Sequence, residues 1–285
     1  MKYCVNSYSF GGYGSAARLG IFGMIDKAAE FGFDGIEFTE SYWMNVPDIE
    51  LAKIGEYVRK RGLEAVSLCI GADLLNGDQE AEIRRVCGII DKAKLLGVSM
   101  LRHDAAQGFI TDRKYGLSYS DALPRLAEGC RRISEYGKSV GIKTMTENHG
   151  YFSQDADRVE ALINATACGN FGALVDLGNF MCADENPTVS VGKLARYAFH
   201  VHAKDFLYKP GTGYDPGECW FRTRAGNYLR GTVIGHGEAK IPQSLGILKR
   251  AGYNGWLSVE FEGVEDNLTG IKLGLRNLKR FWETA

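Results

Sequence analysis

The chain has 285 residues, of which 45% are hydrophobic, and its 34 basic and 35 acidic residues give a net charge of −1. This composition supports a complete hydrophobic core and excludes a disordered chain. The near-neutral balance lacks the basic excess that is typical of nucleic-acid-binding proteins, so we expect no nucleic-acid partner.

Two further features bear on where the protein works. The seven cysteines include no C-x-x-C pair, and their odd number favours free thiols in a reducing compartment. The N-terminal stretch "MKYCVNSYSFGG" contains no apolar signal-peptide core, and the chain has no apolar run long enough to span a bilayer. We therefore expect a cytoplasmic protein with no membrane partner.

Short apolar and β-branched runs alternate along the chain with longer segments of helical period. The predicted strands are, in order, 3–10, 35–39, 63–70, 98–103, 142–147, 172–177, 198–205 and 256–262. The predicted helices between and after them are 25–31, 47–61, 78–96, 119–140, 157–168, 189–196, 242–251 and 266–282. Glycines such as Gly32, Gly97 and Gly141 stand between a helix and the next strand, where they supply the left-handed turn.

This alternation predicts an α/β fold with a parallel sheet, and eight units predict a closed (β/α)8 TIM barrel as a single domain over 1–285. A doubly wound open sheet is the alternative. The segment 206–232, rich in Gly, Tyr and Arg, follows the seventh predicted strand as a long irregular loop. Because long loops inside compact domains are usually functional, we interpret it as a lid or a subunit contact.

Charged and imidazole side chains stand near the ends of the last four predicted strands. They are Glu147, Asp176, His200, His202, Lys204, Glu260 and Glu262. Alternation along a strand places residues two apart on one face, so His200, His202 and Lys204 are expected to face the barrel axis. In such barrels the active site lies at the carboxyl ends of the strands.

Several buried charges at the barrel mouth would be costly unless a cation neutralises them. Four of these residues, on four consecutive strands, form an oxygen-rich ligand set: Glu147, Asp176, His202 and Glu260. This set suits one divalent ion, with Mn²⁺ expected and Mg²⁺, Co²⁺ or Zn²⁺ as alternatives. A single acid at a strand end is more often a loop hydrogen-bonding group or a helix cap, and that reading remains the alternative.

Six motifs together resemble the xylose isomerase-like TIM barrel superfamily of sugar and sugar-phosphate isomerases and epimerases. They are "GFDGIEF" (32–38), "ENHG" (147–150), "VDLGN" (175–179), "HVHAKD" (200–205), "GHG" (235–237) and "GYNGWLSVEFEG" (252–263). The resemblance implies that the four residues named above hold one metal ion, and that Glu147 and Glu260 are the catalytic acid/base pair. In family epimerases, one glutamate removes a proton beside a ketose carbonyl, and the other returns one through a cis-enediolate.

Further residues are predicted to contact the substrate, a small carbohydrate. They are His149, Asn179, His200, Lys204, His236 and Arg222. Asn179 stands where family epimerases often have a histidine, and Tyr208 stands where they often have an arginine. The arginines of the long loop, Arg222, Arg224 and Arg230, would serve as anion clamps instead. Lys204 would stabilise an oxyanion or pair with a ligand carboxylate, and His149 and His236 have structural alternatives as a helix cap and a turn residue.

The function expected from the resemblance is metal-dependent isomerisation or epimerisation of a sugar or sugar phosphate. The alternative is a metal-dependent lyase that dehydrates an inosose or keto-sugar, or cleaves a C-glycoside, after the same proton abstraction. Related endonucleases need more histidines than the five present and a basic face, and a non-catalytic binding barrel would not need both glutamates. A homo-oligomer is expected from the resemblance alone.

Overall fold

The computed structural model describes residues 1–11, 19–40, 47–110 and 117–285. The strands in this part of the chain are β1 Lys2–Asn6, β2 Gly35–Thr39, β3 Glu64–Ile70, β4 Met100–His103, β5 Lys143–Glu147, β6 Phe171–Asp176, β7 Ala198–Ala203, β8 Asp205–Lys209, β9 Phe221–Arg222, β10 Tyr228–Thr232 and β11 Trp256–Val259. The α-helices are α1 Gly20–Phe31, α2 Asp48–Lys60, α3 Gln79–Leu96, α4 Tyr119–Val140, α5 Ala156–Thr166, α6 Pro187–Leu194, α7 Ile241–Arg250 and α8 Asn267–Thr284. None of these helices has the length and apolar content to cross a membrane.

Eight parallel strands, β1 to β7 and β11, close into a barrel. The last strand, β11, pairs on one side with β7 and on the other with β1, so that Leu257 lies opposite both Val201 and Tyr3. Each barrel strand is followed by a helix of the outer ring. The prediction of a (β/α)8 barrel is therefore confirmed, and the open-sheet alternative is wrong.

The helix ends follow the glycine pattern of the sequence. Gly32, Gly97 and Gly141 adopt φ values of 80°, 85° and 82° directly after α1, α3 and α4. Their amide groups bond back to the last turn of each helix. Residues without this conformational freedom would be strained here, which explains why glycine leads into the next strand.

The main hydrophobic core lies between the barrel and the helices, as expected for a barrel whose strands are covered on the outside. A second, smaller apolar cluster occupies part of the barrel interior and consists of Cys4, Val66, Cys69, Met100, Met145 and Leu174. The rest of the interior is polar, with Glu37, His200, His202 and Ser258 all at most 1% exposed. This buried polar layer lies beneath the carboxyl ends of the strands.

The segment predicted as an irregular loop, 206–232, instead contributes to a small antiparallel sheet in which β8 and β9 flank β10. The prediction of an irregular loop is therefore wrong in part, because short strands between glycine- and proline-rich turns carry little periodic signal. Arg224 Nη2 lies 2.9 Å from Asp155 Oδ2, and the Thr223 hydroxyl lies 2.7 Å from Asp184 Oδ1. These contacts tie the small sheet to the segments that follow β5 and β6.

Asp205 joins the segment "HVHAKD" to the segment "GHG" by hydrogen bonds. Its buried carboxylate accepts hydrogen bonds from the amides of Phe206, Gly235, Gly237 and Ala239 at 2.8–3.0 Å. A Cβ at Gly237 would lie 2.4 Å from both Asp205 Oδ1 and the Phe206 carbonyl oxygen, so only glycine fits there. The carboxylate thus fixes the turn between β10 and α7.

Replacing Asp205 by alanine is expected to destabilise the fold by about 3 kcal/mol or more, because several buried amides would lose a charged acceptor. Thermal unfolding followed by circular dichroism measures this as a midpoint several degrees lower. Asp215→Ala is the matched control, since the Asp215 side chain is 68% exposed. Equal midpoints for the two variants would show that the carboxylate does not hold this turn.

Candidate metal centre

Four side chains converge at the carboxyl end of the barrel. Glu147 and Asp176 are the last residues of β5 and β6, His202 lies near the end of β7, and Glu260 directly follows β11. One ligand atom from each lies within 4.8 Å of the others, and all four residues are at most 8% exposed. The structure thus brings together all four residues that the sequence predicted as ligands.

The ring of His202 faces the three carboxylates through Nδ1. This atom lies 3.4 Å from Glu260 Oε1, 3.8 Å from Glu147 Oε1 and 4.0 Å from Asp176 Oδ2. His202 Nδ1 and Asp176 Oδ2 are buried and make no hydrogen bond, and the Lys204 ammonium approaches Asp176 Oδ2 only to 3.4 Å. Buried polar atoms are nearly always satisfied, so these two atoms, together with an oxygen-rich donor set, fit a divalent cation between them.

The electrostatics of Asp176 point the same way. Burial raises the pKa of Asp176 to about 7, and repulsion from the carboxylates of Glu260 and Glu147 adds to the rise. A carboxyl group with a raised pKa in a cluster of acids lacks enough neighbouring positive charge. A bound cation would supply that charge, and it would favour the ionised form of all three carboxylates.

Hydrogen bonds from the backbone and from amide side chains fix the ligand carboxylates. Asp176 Oδ1 accepts from the amides of Gly178 and Asn179 at 2.8 and 2.9 Å. The Asn179 side chain donates to Glu147 Oε1 at 3.0 Å. Gly178 is required because a Cβ there would lie 2.6 Å from the carbonyl oxygen of Lys204. Asn179, predicted to contact substrate, is 4% exposed and contacts the candidate ligand Glu147; its contact with a substrate stays a prediction.

Arg102 is a site residue whose role sequence reasoning did not find. Its Nε lies 2.7 Å from Glu147 Oε2, and its Nη2 lies 2.9 Å from Asp104 Oδ1. Arg102 and His103 are neighbours at the end of β4, so alternation along the strand sends them to opposite faces. Arg102 lines the cavity above the four candidate ligands, whereas His103 is fully buried and bonds through Nδ1 to the Asp104 carbonyl oxygen.

Lys204 pairs with Glu260 as Arg102 pairs with Glu147, on the other side of the four-residue set. Its ammonium lies 2.6 Å from Glu260 Oε2 and 3.4 Å from both Asp176 Oδ2 and Glu262 Oε2. Burial lowers the pKa of Lys204, but these carboxylates outweigh burial and raise it well above its usual value. Burial likewise raises the pKa of Glu260, but Lys204 and His202 bring it well below its usual value. Of the two predicted roles for Lys204, pairing with the carboxylate of Glu260 is observed, and stabilisation of an oxyanion stays a prediction.

A cavity of about 430 Å³ opens above the four ligands. Three of them line it, with Arg102 and Lys204, and its other polar wall residues include Tyr8, Glu40, Asp104, Gln107, His149 and Glu262. Such a volume accommodates a small polyhydroxylated molecule. Since carboxylates, two paired cations and an imidazole converge on it, the wall offers many hydrogen bonds to hydroxyl groups.

His149 is, with Lys204, one of the two predicted substrate contacts that line this cavity. Its side chain is 43% exposed, and Nδ1 lies 3.1 Å from Asp104 Oδ1. Burial lowers the pKa of His149, but the hydrogen bond to Asp104 outweighs that effect and raises it. Burial likewise raises the pKa of Asp104, but Arg102 and His149 bring it down to about 2. Asp104 therefore links the imidazole to Arg102.

Three other residues that were predicted to contact the substrate lie away from this cavity. His200 is fully buried below the ligands, with Nε2 3.0 Å from Glu37 Oε2, and does not line the cavity. His236 is exposed in the turn that Asp205 holds. Arg222 places its guanidinium 4.4 Å from the Tyr228 ring centroid and is also not in the cavity wall. The sequence could not show these positions, because it indicates the facing of a strand residue but not its depth, nor the path of a loop.

Three curated proteins show similarity over long stretches. The rhizopine catabolism protein MocC of Rhizobium meliloti is 29% identical over 242 residues, which cover 79% of this chain and 71% of MocC. A probable ketose 3-epimerase of Synechocystis sp. is 23% identical over 279 residues, which cover 92% of this chain and 83% of that protein. An inosose dehydratase of Lacticaseibacillus casei is 24% identical over 143 residues, which cover 50% of this chain and 48% of that protein.

Solved structures share the fold at lower sequence identity. L-ribulose 3-epimerase superposes with a TM-score of 0.75 at 17% identity, over 100% of this chain and 95% of that one. The IolI protein with a bound zinc atom superposes with a TM-score of 0.74 at 17% identity, over 100% and 99%. The profile of the family described as Xylose isomerase-like TIM barrel matches residues 25–281, which is most of the chain, and the chain therefore belongs to that family.

Proposed function

We propose that this protein is a divalent-metal-dependent isomerase or epimerase of a sugar or sugar derivative. One observation carries the proposal: Glu147 and Glu260 both belong to the four-residue set and both line the cavity. They stand on β5 and after β11, so the strands of Asp176 and His202 lie between them in the barrel. Two carboxylates on either side of one bound substrate allow a proton to be removed on one face and returned on the other.

The protein's own residues transfer the proton, hold the two glutamates in place and bind the substrate hydroxyls. When bound by the four residues, a divalent ion polarises a carbonyl oxygen and acidifies the neighbouring C–H bond. Glu147 or Glu260 then takes the proton from that carbon, and Arg102 and Lys204 hold the outer oxygens of the two glutamates in fixed positions. His149 reaches the cavity as a hydrogen-bonding partner for substrate hydroxyls. Manganese is the proposed ion, since three of the four ligands supply oxygen.

The direct test is incubation of the Mn²⁺-loaded protein with ketoses, inososes and 3-keto-sugars in D₂O, followed by NMR and mass spectrometry. The proposal predicts deuterium at the carbon beside the carbonyl, together with a new stereoisomer or aldose of the same carbon skeleton. A product lighter by one water would instead favour the second candidate. Bound manganese without exchange into any member of the panel would contradict the proposed chemistry.

Dehydration of an inosose or keto-sugar is the second candidate, and Lys204 is the observation that favours it. Expulsion of a hydroxyl group builds negative charge on the leaving oxygen, and the Lys204 ammonium, which its carboxylate partners keep charged, lines the cavity 2.6 Å from Glu260. The base of an elimination and the cation that stabilises the leaving oxygen would thus be neighbours. The similarity to an inosose dehydratase supports this candidate, as the similarity to a ketose 3-epimerase supports the first.

Under this second candidate, Lys204→Met is expected to slow loss of water about 100-fold, since one preorganised group that stabilises developing charge contributes on the order of 10²–10³ in rate. Deuterium exchange beside the carbonyl should persist, because a glutamate performs that step. Lys209→Met is the control, as Lys209 is exposed on β8. Undiminished water loss in Lys204→Met would exclude Lys204 as the cation that stabilises the leaving oxygen.

A further inference from the structure

Glu37, on β2, contacts both histidines of the "HVH" motif from inside the barrel. Its Oε1 lies 2.7 Å from His202 Nε2 and also accepts the hydroxyl hydrogen of Ser258. Its Oε2 lies 3.0 Å from His200 Nε2. Glu37, His200 and Ser258 are each 0% exposed, so none of these contacts competes with solvent.

These contacts set which nitrogen of His202 faces which group. Neither ring nitrogen makes a hydrogen bond of full geometry, but Nε2 lies 2.7 Å from Glu37 Oε1 and Nδ1 faces the three carboxylates. An ionised carboxylate only accepts hydrogen bonds, so a neutral ring with its hydrogen on Nε2 suits Glu37, and Nδ1 then presents its lone pair to a metal ion. The His200 ring cannot serve the same purpose, because it is not in the cavity wall and its centroid lies 5.4 Å from that of His202.

Glu37 is in turn held from two sides. Ser258 and His202 share Oε1, while His200 occupies Oε2, so rotation of the carboxylate would break contacts at both oxygens. A buried carboxylate is tolerated only when it is paired in this way. The arrangement therefore links His200, on the inner layer of β7, to the orientation of His202 two residues later.

We propose that Glu37 is a positioning residue that holds His202 with Nδ1 directed at the metal ion, and that His200 and Ser258 anchor Glu37. This inference rests on the metal site of the proposed function. It gives the two histidines of "HVH" different tasks: His202 binds the ion, and His200 holds the carboxylate that orients His202. A cluster that only stabilised the fold would affect unfolding but not the geometry around the ion.

Titration of the apo protein with Co²⁺ tests this inference without any substrate. In Glu37→Gln, the dissociation constant for Co²⁺ is expected to rise by about 10- to 100-fold. This is the usual effect of losing the hydrogen-bonding partner of a metal-binding histidine. The visible absorption bands of bound Co²⁺ should also change, since the imidazole is no longer held. Ser67→Ala is the control, because the Ser67 hydroxyl is buried without a hydrogen-bond partner on β3 and should leave both readouts unchanged.

The outcomes separate the inference from the proposed function. Co²⁺ binding by Glu37→Gln with the wild-type constant and spectrum would overturn the role of Glu37 alone. Failure of the wild-type protein to bind Co²⁺ would overturn the metal site and the inference together. If Glu37→Gln does not fold, His200→Gln tests the same inference. We expect the Co²⁺ dissociation constant of His200→Gln to rise about tenfold, since this variant loses the anchor of Glu37 and not Glu37 itself. A wild-type constant and spectrum in His200→Gln would contradict the anchoring of Glu37.

Discussion

Replacing Glu147 or Glu260 by glutamine is expected to lower kcat by about 10²–10⁴, because an amide cannot accept a proton, and general acid/base catalysis is worth that factor. Glutamine keeps the size of the side chain and one oxygen that can face the ion. Each variant should therefore weaken binding of Mn²⁺ less than the loss of His202 does. Steady-state kinetics on the substrate found in D₂O, with calorimetric titration of Mn²⁺, measures both effects.

Glu218→Gln is the matched control for these variants, since Glu218 is exposed in the segment between β8 and β9. It should retain the wild-type kcat. Wild-type turnover by both Glu147→Gln and Glu260→Gln, with manganese bound, would show that neither glutamate transfers the proton. Turnover lost in only one of them would show that a single glutamate transfers the proton, against the proposed pair.

His202→Ala is expected to weaken Mn²⁺ binding by at least about 100-fold, because loss of a ligand should cost no less than loss of its supporting partner. The other three ligands are carboxylates, so this substitution removes the only nitrogen of the set. Calorimetric titration of the apo protein gives the affinity, and turnover lost on treatment with a chelator should return on addition of Mn²⁺.

His236→Ala separates this effect from a general loss of histidine, since His236 is exposed in a turn away from the cavity. Its affinity for Mn²⁺ should equal that of the wild type. If His202→Ala also binds the ion as tightly as the wild type, the four residues do not form the metal site.

The barrel and its four candidate ligands could be predicted because both follow from periodic signals. Alternation of strands and helices determines the topology, and the barrel brings the carboxyl ends of neighbouring strands together. An acid at the end of a predicted strand, such as Glu147 or Asp176, is thereby placed without knowledge of any contact. Glu260 could be placed in the same way, although β11 ends one residue before it.

The roles of Arg102 and His200 depended on information that periodicity does not carry. Facing along a strand has a period of two residues, but depth inside a barrel changes by about 3.3 Å per residue. His200 therefore shares the inward face with His202 and yet lies too deep to reach the cavity. Arg102 pairs with Glu147 across β4 and β5, and such ion pairs depend on side-chain conformations that no sequence pattern specifies.

The segment after β7 was the least predictable part of the site. Its arginines read as anion clamps in the sequence, but Arg224 pairs with Asp155 and Arg222 lies over the Tyr228 ring. Short strands such as β9, with two residues, are too brief to leave an alternating pattern. The interpretation of this segment as a lid or a subunit contact stays a prediction.

The metal site is tested most directly by anomalous X-ray diffraction at the manganese absorption edge, from crystals grown with Mn²⁺. We expect one strong anomalous peak at bonding distance from His202 Nδ1 and from the carboxylates of Glu147, Asp176 and Glu260. A peak at any other set of side chains, or the Lys204 ammonium bound among the carboxylates with no peak at saturating manganese, would contradict this site.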